Sequence, residues 1–244
     1  SWAPDGHSSA PTAASMFLAG VSMKLGGYGC LRVATFLFPE AADELSWIFI
    51  ILASTAILYG AIVTLRQKDL KYMNAFSSVS HCGFVILGIA MLTRTAITGA
   101  VMQMVSHGIM TALFFGVIGM IYQRTHTRQI SELGGVLYQA PFIGSAFLIA
   151  GLCSLGLPGM SGFVSEMTIF VGSWERTGVF YRVATLIACS SIVITAVYIL
   201  RAVGSVIWRE VRNKAVRTMT DATPAERLAS VLLIAAIFLI GTCP

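Results

Sequence analysis

Four ionisable side chains stand inside apolar stretches of this sequence, far from the charged loops: Lys24, His81, His107 and Glu166. An amine, two imidazoles and a carboxylate are side chains that take up and release protons. A lysine or carboxylate at the centre of a membrane helix costs about 2.5–3.5 kcal/mol on insertion scales. One such group could belong to a purely structural salt bridge. Four of them favour a proton relay made of Lys24, His81, His107 and Glu166.

Each histidine continues a polar stripe at helical spacing. The stripes consist of Asn74, Ser77, Ser78 and His81 in one segment and Gln103, His107 and Thr111 in another. A single histidine of this kind is more often a satisfied core residue. Two of them on separate stripes favour a hydrated path, in which water joins the titrating groups. We therefore predict that Ser77, Ser78, Gln103 and Thr111 line water.

The stretch "LGLPGMSGFVSEM", which begins at Leu155, interrupts an apolar segment. Gly156, Pro158 and Gly159 predict a helix break, because glycine permits the bend and proline lacks a backbone donor. The backbone groups freed by a break in a membrane helix must be buried in protein or face water. Discontinuous helices recur at ion-pathway sites. Glu166, within two turns of this break, is therefore expected to belong to such a site.

Composition places the chain in a membrane. Only 11% of the 244 residues are charged, whereas a soluble domain carries about 25%. The segment 45–65 has no ionisable side chain and is long enough to cross roughly 30 Å of hydrocarbon. We predict an all-α integral membrane protein. The net charge of +5 is assigned to loops rather than to nucleic-acid binding.

Apolar runs predict about seven membrane spans. They are 11–35, 45–65, 73–92, 97–123, 136–173, 180–208 and 226–243, the fifth being divided by the break. Seven crossings place all strongly basic loops on one side, as the positive-inside rule requires. Ser1 is then expected on the cytoplasmic side and Pro244 on the opposite side. The connection between the last two spans is expected to be an amphipathic surface segment.

Several ordered motifs resemble an antiporter-like subunit of respiratory complex I, the proton-pumping NADH:quinone oxidoreductase. They are "SWAPDGHSSAPTAASMFLAGVSMKLGGYGCLR", "DLKYMNAFSSVSHCGFV", "QMVSHGIMTALFF", "YQRTHTRQI" and "LGLPGMSGFVSEM". Lys24 resembles the central lysine of the family's eighth helix, and Glu166 resembles the ionisable residue of its twelfth. Lysine together with glutamate is typical of the M-type subunit, the counterpart of mitochondrial subunit four. His81 and His107 match intramembrane histidines of the axis that joins them.

The resemblance implies the C-terminal half of a fourteen-helix antiporter-like fold, helices eight to fourteen. The family's buried glutamate on helix five and lysine on helix seven would lie upstream. The expected organisation is 1–35 as the last helix of the first repeat, 36–208 as a second five-helix repeat, 209–225 as the surface connection and 226–244 as the final helix.

The resemblance further implies a multi-pass protein of the bacterial inner membrane without cofactors of its own. NADH, FMN, iron–sulfur clusters and quinone would be bound by partner subunits. Expected partners are other membrane-arm subunits, among them two paralogous antiporter-like subunits, and the lipid bilayer. Three alternatives stay open: a multisubunit cation/proton antiporter, a membrane-bound hydrogenase, and a passive scaffold whose buried charges merely pair.

Overall fold

The computed structural model describes residues 2–211 and 213–243, which form helices joined mostly by short loops. The helices are α1 Ala3–Ser9, α2 Thr12–Phe17, α3 Met23–Gly29, α4 Pro39–Glu44, α5 Ser46–Arg66, α6 Leu70–Ala90, α7 Arg94–Thr125, α8 Val136–Gln139, α9 Pro141–Leu155, α10 Ser161–Glu175, α11 Val179–Val203, α12 Lys214–Arg217 and α13 Pro224–Thr242. Three π-helical turns, Leu18–Ser22, Cys30–Thr35 and Gly204–Trp208, continue α2, α3 and α11. Ser1 and Pro244, whose sides of the membrane the sequence predicts, and Arg212 in the predicted surface connection lie outside the described residues.

Within the described residues, five helices are long and apolar enough to cross a bilayer. They are α5, α6, α7, α11 with its π-helical turn, and α13. The other two predicted spans are subdivided. The span 11–35 contains two π-helical turns, and the span 136–173 is split into α9 and α10. The predicted all-α membrane fold with one discontinuous helix is confirmed.

Side-chain caps determine where the long helices begin. Asp69 accepts hydrogen bonds from the backbone N–H groups of Lys71 (2.7 Å) and Tyr72 (3.1 Å) at the start of α6. Thr223 and Glu226 form a capping box at the start of α13. Each cap satisfies backbone donors that have no partner within the helix. These polar residues therefore stop the apolar spans at defined positions.

Ion pairs tie the loops together at the two ends of the bundle. At the end that carries the basic loops, here called the basic end, Arg128 pairs with Asp69 (3.2 Å) and Arg124 pairs with Glu226 (2.8 Å). At the opposite end, Arg176 pairs with Asp43 (2.6 Å). Alternate loops thus collect at alternate ends. The side of the membrane that each end faces stays a prediction.

Glycines bring three helix backbones into contact near the opposite end. A Cβ at Gly88 would lie 2.8 Å from the carbonyl oxygen of Ala96, and a Cβ at Gly99 would lie 2.7 Å from the backbone nitrogen of Ile169. A Cβ at Gly172 would meet the backbone nitrogen of Ala96. Small residues at such crossings let membrane helices approach closely. Helices α6, α7 and α10 therefore form a tightly packed unit.

The loop before α13 and the C-terminal end of α13 contact the two ends of α9. The carboxylate of Asp221 accepts hydrogen bonds from the backbone of Phe142 (3.2 Å) and Ile143 (3.3 Å) in the first turn of α9. At the other end, a Cβ at Gly241 would meet the carbonyl oxygen of Gly159 in the helix break. Both ends of the first half-helix are thus held by the final part of the chain.

The predicted surface connection, 209–225, contains the four-residue helix α12. In its described part, the side chains of Val216 and Met219 are buried, while Lys214 and Arg217 are exposed. The polar and apolar side chains of this segment therefore face different environments. Its role as a surface connection stays a prediction.

Candidate functional site

The helix break lies where glycine and proline predict it. Helix α9 ends at Leu155, and Gly156 follows in the left-handed conformation (φ 76°). The backbone N–H of Leu157 donates to Leu152 (3.1 Å), and that of Gly156 donates to Cys153 (3.1 Å). This bonding pattern is a Schellman motif, which satisfies the last carbonyls of a helix. The sequence thus ends α9 locally, without help from a distant residue.

The second half-helix crosses directly over the first. Its Gly162 lies so near Cys153 that a Cβ would meet the carbonyl oxygen of that residue. Pro158 and Gly159 (φ 90°) form the intervening loop. The side chain of Glu166 then points back at the break, where a Cβ at Gly156 would lie 2.9 Å from its Oε2. Glycine at position 156 therefore makes room for the carboxylate as well as for the turn.

Glu166 and His81 form a buried pair. Oε1 of Glu166 lies 3.2 Å from Nδ1 of His81, and both residues are buried. The same nitrogen lies 3.3 Å from Nε2 of Gln103, while the other ring nitrogen lies 3.3 Å from the hydroxyl of Ser154. An ionised carboxylate requires a proton on Nδ1, whereas an amide N–H requires a lone pair there. The carboxylate and the amide therefore compete for the same ring nitrogen.

His107 lies directly beside His81, with ring centroids 4.9 Å apart. The residue is buried, and among the described residues neither of its ring nitrogens has a hydrogen-bond partner. A buried imidazole without protein partners is expected to bond to water. Both ring nitrogens of His107 are therefore expected to bond to water.

Lys24 lies on the first long segment of the bundle, which packs against α7. Its ammonium donates to the carbonyl of Ala19, within the π-helical turn Leu18–Ser22. This segment crosses α7 closely, because a Cβ at Gly108 would lie 2.7 Å from the carbonyl oxygen of Gly20. The same Cβ position is 4.0 Å from Cε of Lys24. Lys24 is thus placed beside the residue that follows His107.

Lys24 is less enclosed than the other three ionisable groups. It is partly exposed and lines an open groove of about 530 Å³ between α3 and α7. Tyr28 and Met104 contribute to the walls of this groove, which are mostly apolar. The amine consequently lies between Gly108 of α7 and a space that opens outward.

The four residues predicted to line water differ in their bonding. Ser78 and Thr111 donate to a carbonyl one turn earlier in their own helices (3.0 and 2.6 Å). Gln103 bonds to His81 and accepts a 2.5 Å hydrogen bond from Ser165. The Ser77 hydroxyl lies 2.9 Å from that of Tyr198, a residue that the sequence did not single out. Water lining by these residues stays a prediction.

Sequence reasoning missed several hydroxyl groups of the site. Ser106 donates to Ser161 (2.8 Å), and Ser154 and Tyr198 lie near His81 and Ser77. The spacing of Ser161 and Ser165, one turn apart just before Glu166, could have indicated a polar face on α10. Tyr198 stands in an apolar run that gives no comparable signal.

These features define a polytopic helical membrane protein with a broken helix beside a buried carboxylate, an architecture typical of secondary transporters. The chain belongs to the family described as NADH:quinone oxidoreductase/Mrp antiporter, TM, which matches residues 1–195. The predicted resemblance is thereby confirmed.

Curated relatives cover the whole of this chain. NADH-quinone oxidoreductase subunit M of Rickettsia conorii is 40% identical over 243 residues, which are 100% of this chain and 48% of the relative. The protein of the same name from Rhodobacter capsulatus is 37% identical over 244 residues, which are 100% of this chain and 47% of the relative. The chain thus spans about half the length of the curated relatives it matches.

Two solved structures share the fold. A chain of respiratory complex I from Thermus thermophilus with bound NADH superposes with a TM-score of 0.90 at 29% identity, over 98% of this chain and 50% of that chain. A chain of the Mrp complex from Dietzia sp. superposes with a TM-score of 0.87 at 18% identity, over 98% of this chain and 52% of that chain. At that identity the second similarity concerns the fold alone.

Proposed function

We propose that this chain acts within a proton-translocating membrane subunit of NADH:quinone oxidoreductase. The observation that carries the proposal is the contact between Glu166 and His81 beside a broken helix. The imidazole of His107 lies next to this pair and has no hydrogen-bond partner in the part of the chain that the structure describes. The relatives named subunit M support the assignment to this complex. The relay consists of Lys24, His107, His81 and Glu166, joined by water where side chains do not touch.

Each step of the relay moves one proton and changes no oxidation state. Glu166 in its protonated form passes a proton to Nδ1 of His81, and the imidazole releases a proton from its other nitrogen. His107 accepts a proton at one ring nitrogen and releases another from the opposite nitrogen, so water links it to His81 and Lys24. The ammonium of Lys24 changes the electrostatic free energy of these steps, because like charges repel strongly in a site of low dielectric constant.

The energy for translocation comes from redox chemistry outside this chain. NADH, FMN, iron–sulfur clusters and quinone are bound by partner subunits, and this chain carries no electrons. Two paralogous antiporter-like subunits are its neighbours in the membrane arm. We place the protein in the bacterial inner membrane with its basic end in the cytoplasm, as the positive-inside rule requires. Its organisation is the one the resemblance implies, with Glu166 in the second repeat.

Alanine substitution of the two outer members tests the proposal. Lys24→Ala or Glu166→Ala, made in the full-length subunit within the assembled complex, should abolish proton translocation coupled to NADH oxidation. Glu175→Ala is the matched control, because this exposed glutamate ends the same helix as Glu166. Native gel electrophoresis checks assembly. Wild-type turnover and proton stoichiometry in Glu166→Ala would overturn the proposal.

A second candidate is a subunit of a multisubunit cation/proton antiporter. The family description, which includes Mrp antiporters, favours keeping this candidate. It would use the same four residues but would run on ion gradients alone. Affinity purification of the full-length subunit distinguishes the two, since only the first candidate co-purifies with NADH-oxidising activity.

A further inference from the structure

The second ring nitrogen of His81 leads into a chain of buried hydroxyl groups. Nε2 of His81 lies 3.3 Å from the hydroxyl of Ser154. The hydroxyl of Tyr198 lies 2.9 Å from that of Ser77, and Ser154 and Thr195 are also polar neighbours of the Tyr198 hydroxyl. Tyr198 is fully buried, and its ring packs within the main apolar core. A phenol group thus lies between Ser154, the partner of His81, and Ser77 of α6.

This chain of hydroxyls approaches the basic end of the bundle. Ser77 and Asn74 follow the first residue of α6 by seven and four positions, or about 10 and 6 Å at 1.5 Å per residue. Asn74 is fully buried, and neither atom of its amide has a partner within residues 2–211 and 213–243. A buried amide in this state is unfavourable unless water bonds to it. The chain of hydroxyls therefore ends beside a group that requires water.

In the opposite direction from Glu166, toward the other end of the bundle, the side chains are mostly apolar. In the next turn of α10, Ile169 and Phe170 are buried, and the ring of Phe170 packs edge-on against Phe84 with centroids 5.6 Å apart. Leu87, one turn further along α6, belongs to the same apolar cluster. Ser173, one turn beyond Phe170 on the same helix, is also buried, and its hydroxyl has no hydrogen-bond partner among the described residues.

We propose that the Glu166–His81 pair exchanges protons with the basic end of the bundle, through Ser154, Tyr198, Ser77 and water at Asn74. This inference rests on the proposed function and adds the end of the bundle with which the pair exchanges protons. The Tyr198 hydroxyl releases its proton to one neighbour while accepting a proton from the other. No net charge accumulates on it, and nothing is oxidised or reduced.

The substitution Tyr198→Phe removes the hydroxyl group and keeps the aromatic ring. In the full-length subunit within the assembled complex, we expect coupled proton translocation to fall about tenfold, since a positioned proton-transfer group contributes about 10²–10⁴-fold and water replaces part of its effect. The ratio of turnover in H₂O to that in D₂O should rise, because proton transfer becomes rate-limiting. A merely loosened fold would slow turnover equally in both solvents.

Two further variants sharpen this test. Ser77→Ala should act in the same direction, and the double variant should be no slower than Tyr198→Phe, because both residues serve one route. Tyr59→Phe is the matched control, since the Tyr59 side chain is largely exposed on α5. It should retain wild-type translocation and an unchanged isotope ratio.

The outcomes separate the two proposals. Wild-type translocation in Tyr198→Phe, together with loss of translocation in Glu166→Ala, overturns the route and leaves the proposed function intact. Wild-type translocation in both variants overturns both. If Tyr198→Phe fails to assemble, the accessibility of position 74 to a thiol reagent tests the route instead. Asn74→Cys should react with a membrane-impermeant thiol reagent supplied at the basic end, measured against the protein without the added cysteine. Labelling only from the opposite end, or none, overturns the route.

Discussion

The carboxylate of Glu166 reaches from α10 to Nδ1 of His81 on α6, at a distance of 3.2 Å. Helix α7, which packs against both helices, contributes Gln103 as a competing partner for the same nitrogen. A change in the side-chain rotamer of Glu166 would break the first contact and leave the second. Nδ1 of His81 therefore has one possible partner on α10 and another on α7.

Gly156 should be essential for the position of this carboxylate. Gly156→Ala adds a Cβ at 2.9 Å from Oε2 of Glu166 and also places alanine at φ 76°. Displacing Glu166 should lower proton translocation about tenfold, since a misplacement of about 1 Å can cost up to about 100-fold. Translocation is measured by the quenching of a pH-sensitive dye in vesicles that contain the complex.

The matched control for this substitution is Gly159→Ala. Gly159 also has a positive φ, 90°, but a Cβ there would have no neighbour within 4 Å. Both variants carry a backbone strain of about 1–2 kcal/mol, so their difference reports the crowding of Glu166 alone. Equal activity of the two variants would contradict the assigned role of Gly156.

Gly108 should control the distance between Lys24 and the histidines. Gly108→Ala adds a Cβ that would lie 2.7 Å from the carbonyl oxygen of Gly20, so the segment that carries Lys24 must move away from α7. We expect proton translocation to fall at least about fivefold, with assembly retained, because geometry limits proton transfer. Gly26→Ala, where a Cβ meets nothing within 4 Å, is the control. A Gly108→Ala variant as active as Gly26→Ala would refute this role.

His7 in α1 should make the stability of the protein depend on pH. Its ring is buried, with Nε2 2.9 Å from the sulfur of Met23. Burial, followed by the charges of Lys24 and Lys71, lowers the pKa of His7 below 6.5. Below about pH 6.5, His7 binds a proton more readily in the unfolded chain than in the folded chain. The contribution of His7 to the free energy of unfolding is therefore complete above about pH 6.5 and is lost as the pH falls below that value.

Thermal unfolding of the full-length subunit between pH 8 and pH 5.5 measures this effect. The midpoint should fall at the acidic end of the series in the wild type, and the fall should be smaller in His7→Gln. His126→Gln, which alters an exposed histidine at the end of α7, should behave like the wild type. An identical pH dependence in His7→Gln and the wild type would contradict the prediction.

The predictable parts of the fold are those with a local chemical signal. The break could be predicted because Gly156 and Gly159 adopt positive φ angles that other residues rarely adopt, and because Pro158 lacks a donor. The spans could be predicted because lipid requires long apolar segments with satisfied backbones. The π-helical turns beside Lys24 left no such signal, since they use the same apolar residues as an ordinary helical turn.

The contacts of the site required the tertiary structure. Lys24, His81, His107 and Glu166 could be singled out individually, because each is ionisable in an apolar run. Their order could not, because the contacts of His81 with Glu166 and with His107 join three different helices. Tyr198 and Ser77 are 121 positions apart in the sequence, and no periodicity links residues at that separation.

The backbone contacts at Gly88, Gly99 and Gly172 also bear on how the protein could change shape. Side chains can adopt new rotamers to open or close a gap, but touching backbones have no such freedom. The portion of the molecule around these glycines should therefore move only as one rigid body. A rearrangement that accompanies turnover would then leave the crossing of these three helices unchanged.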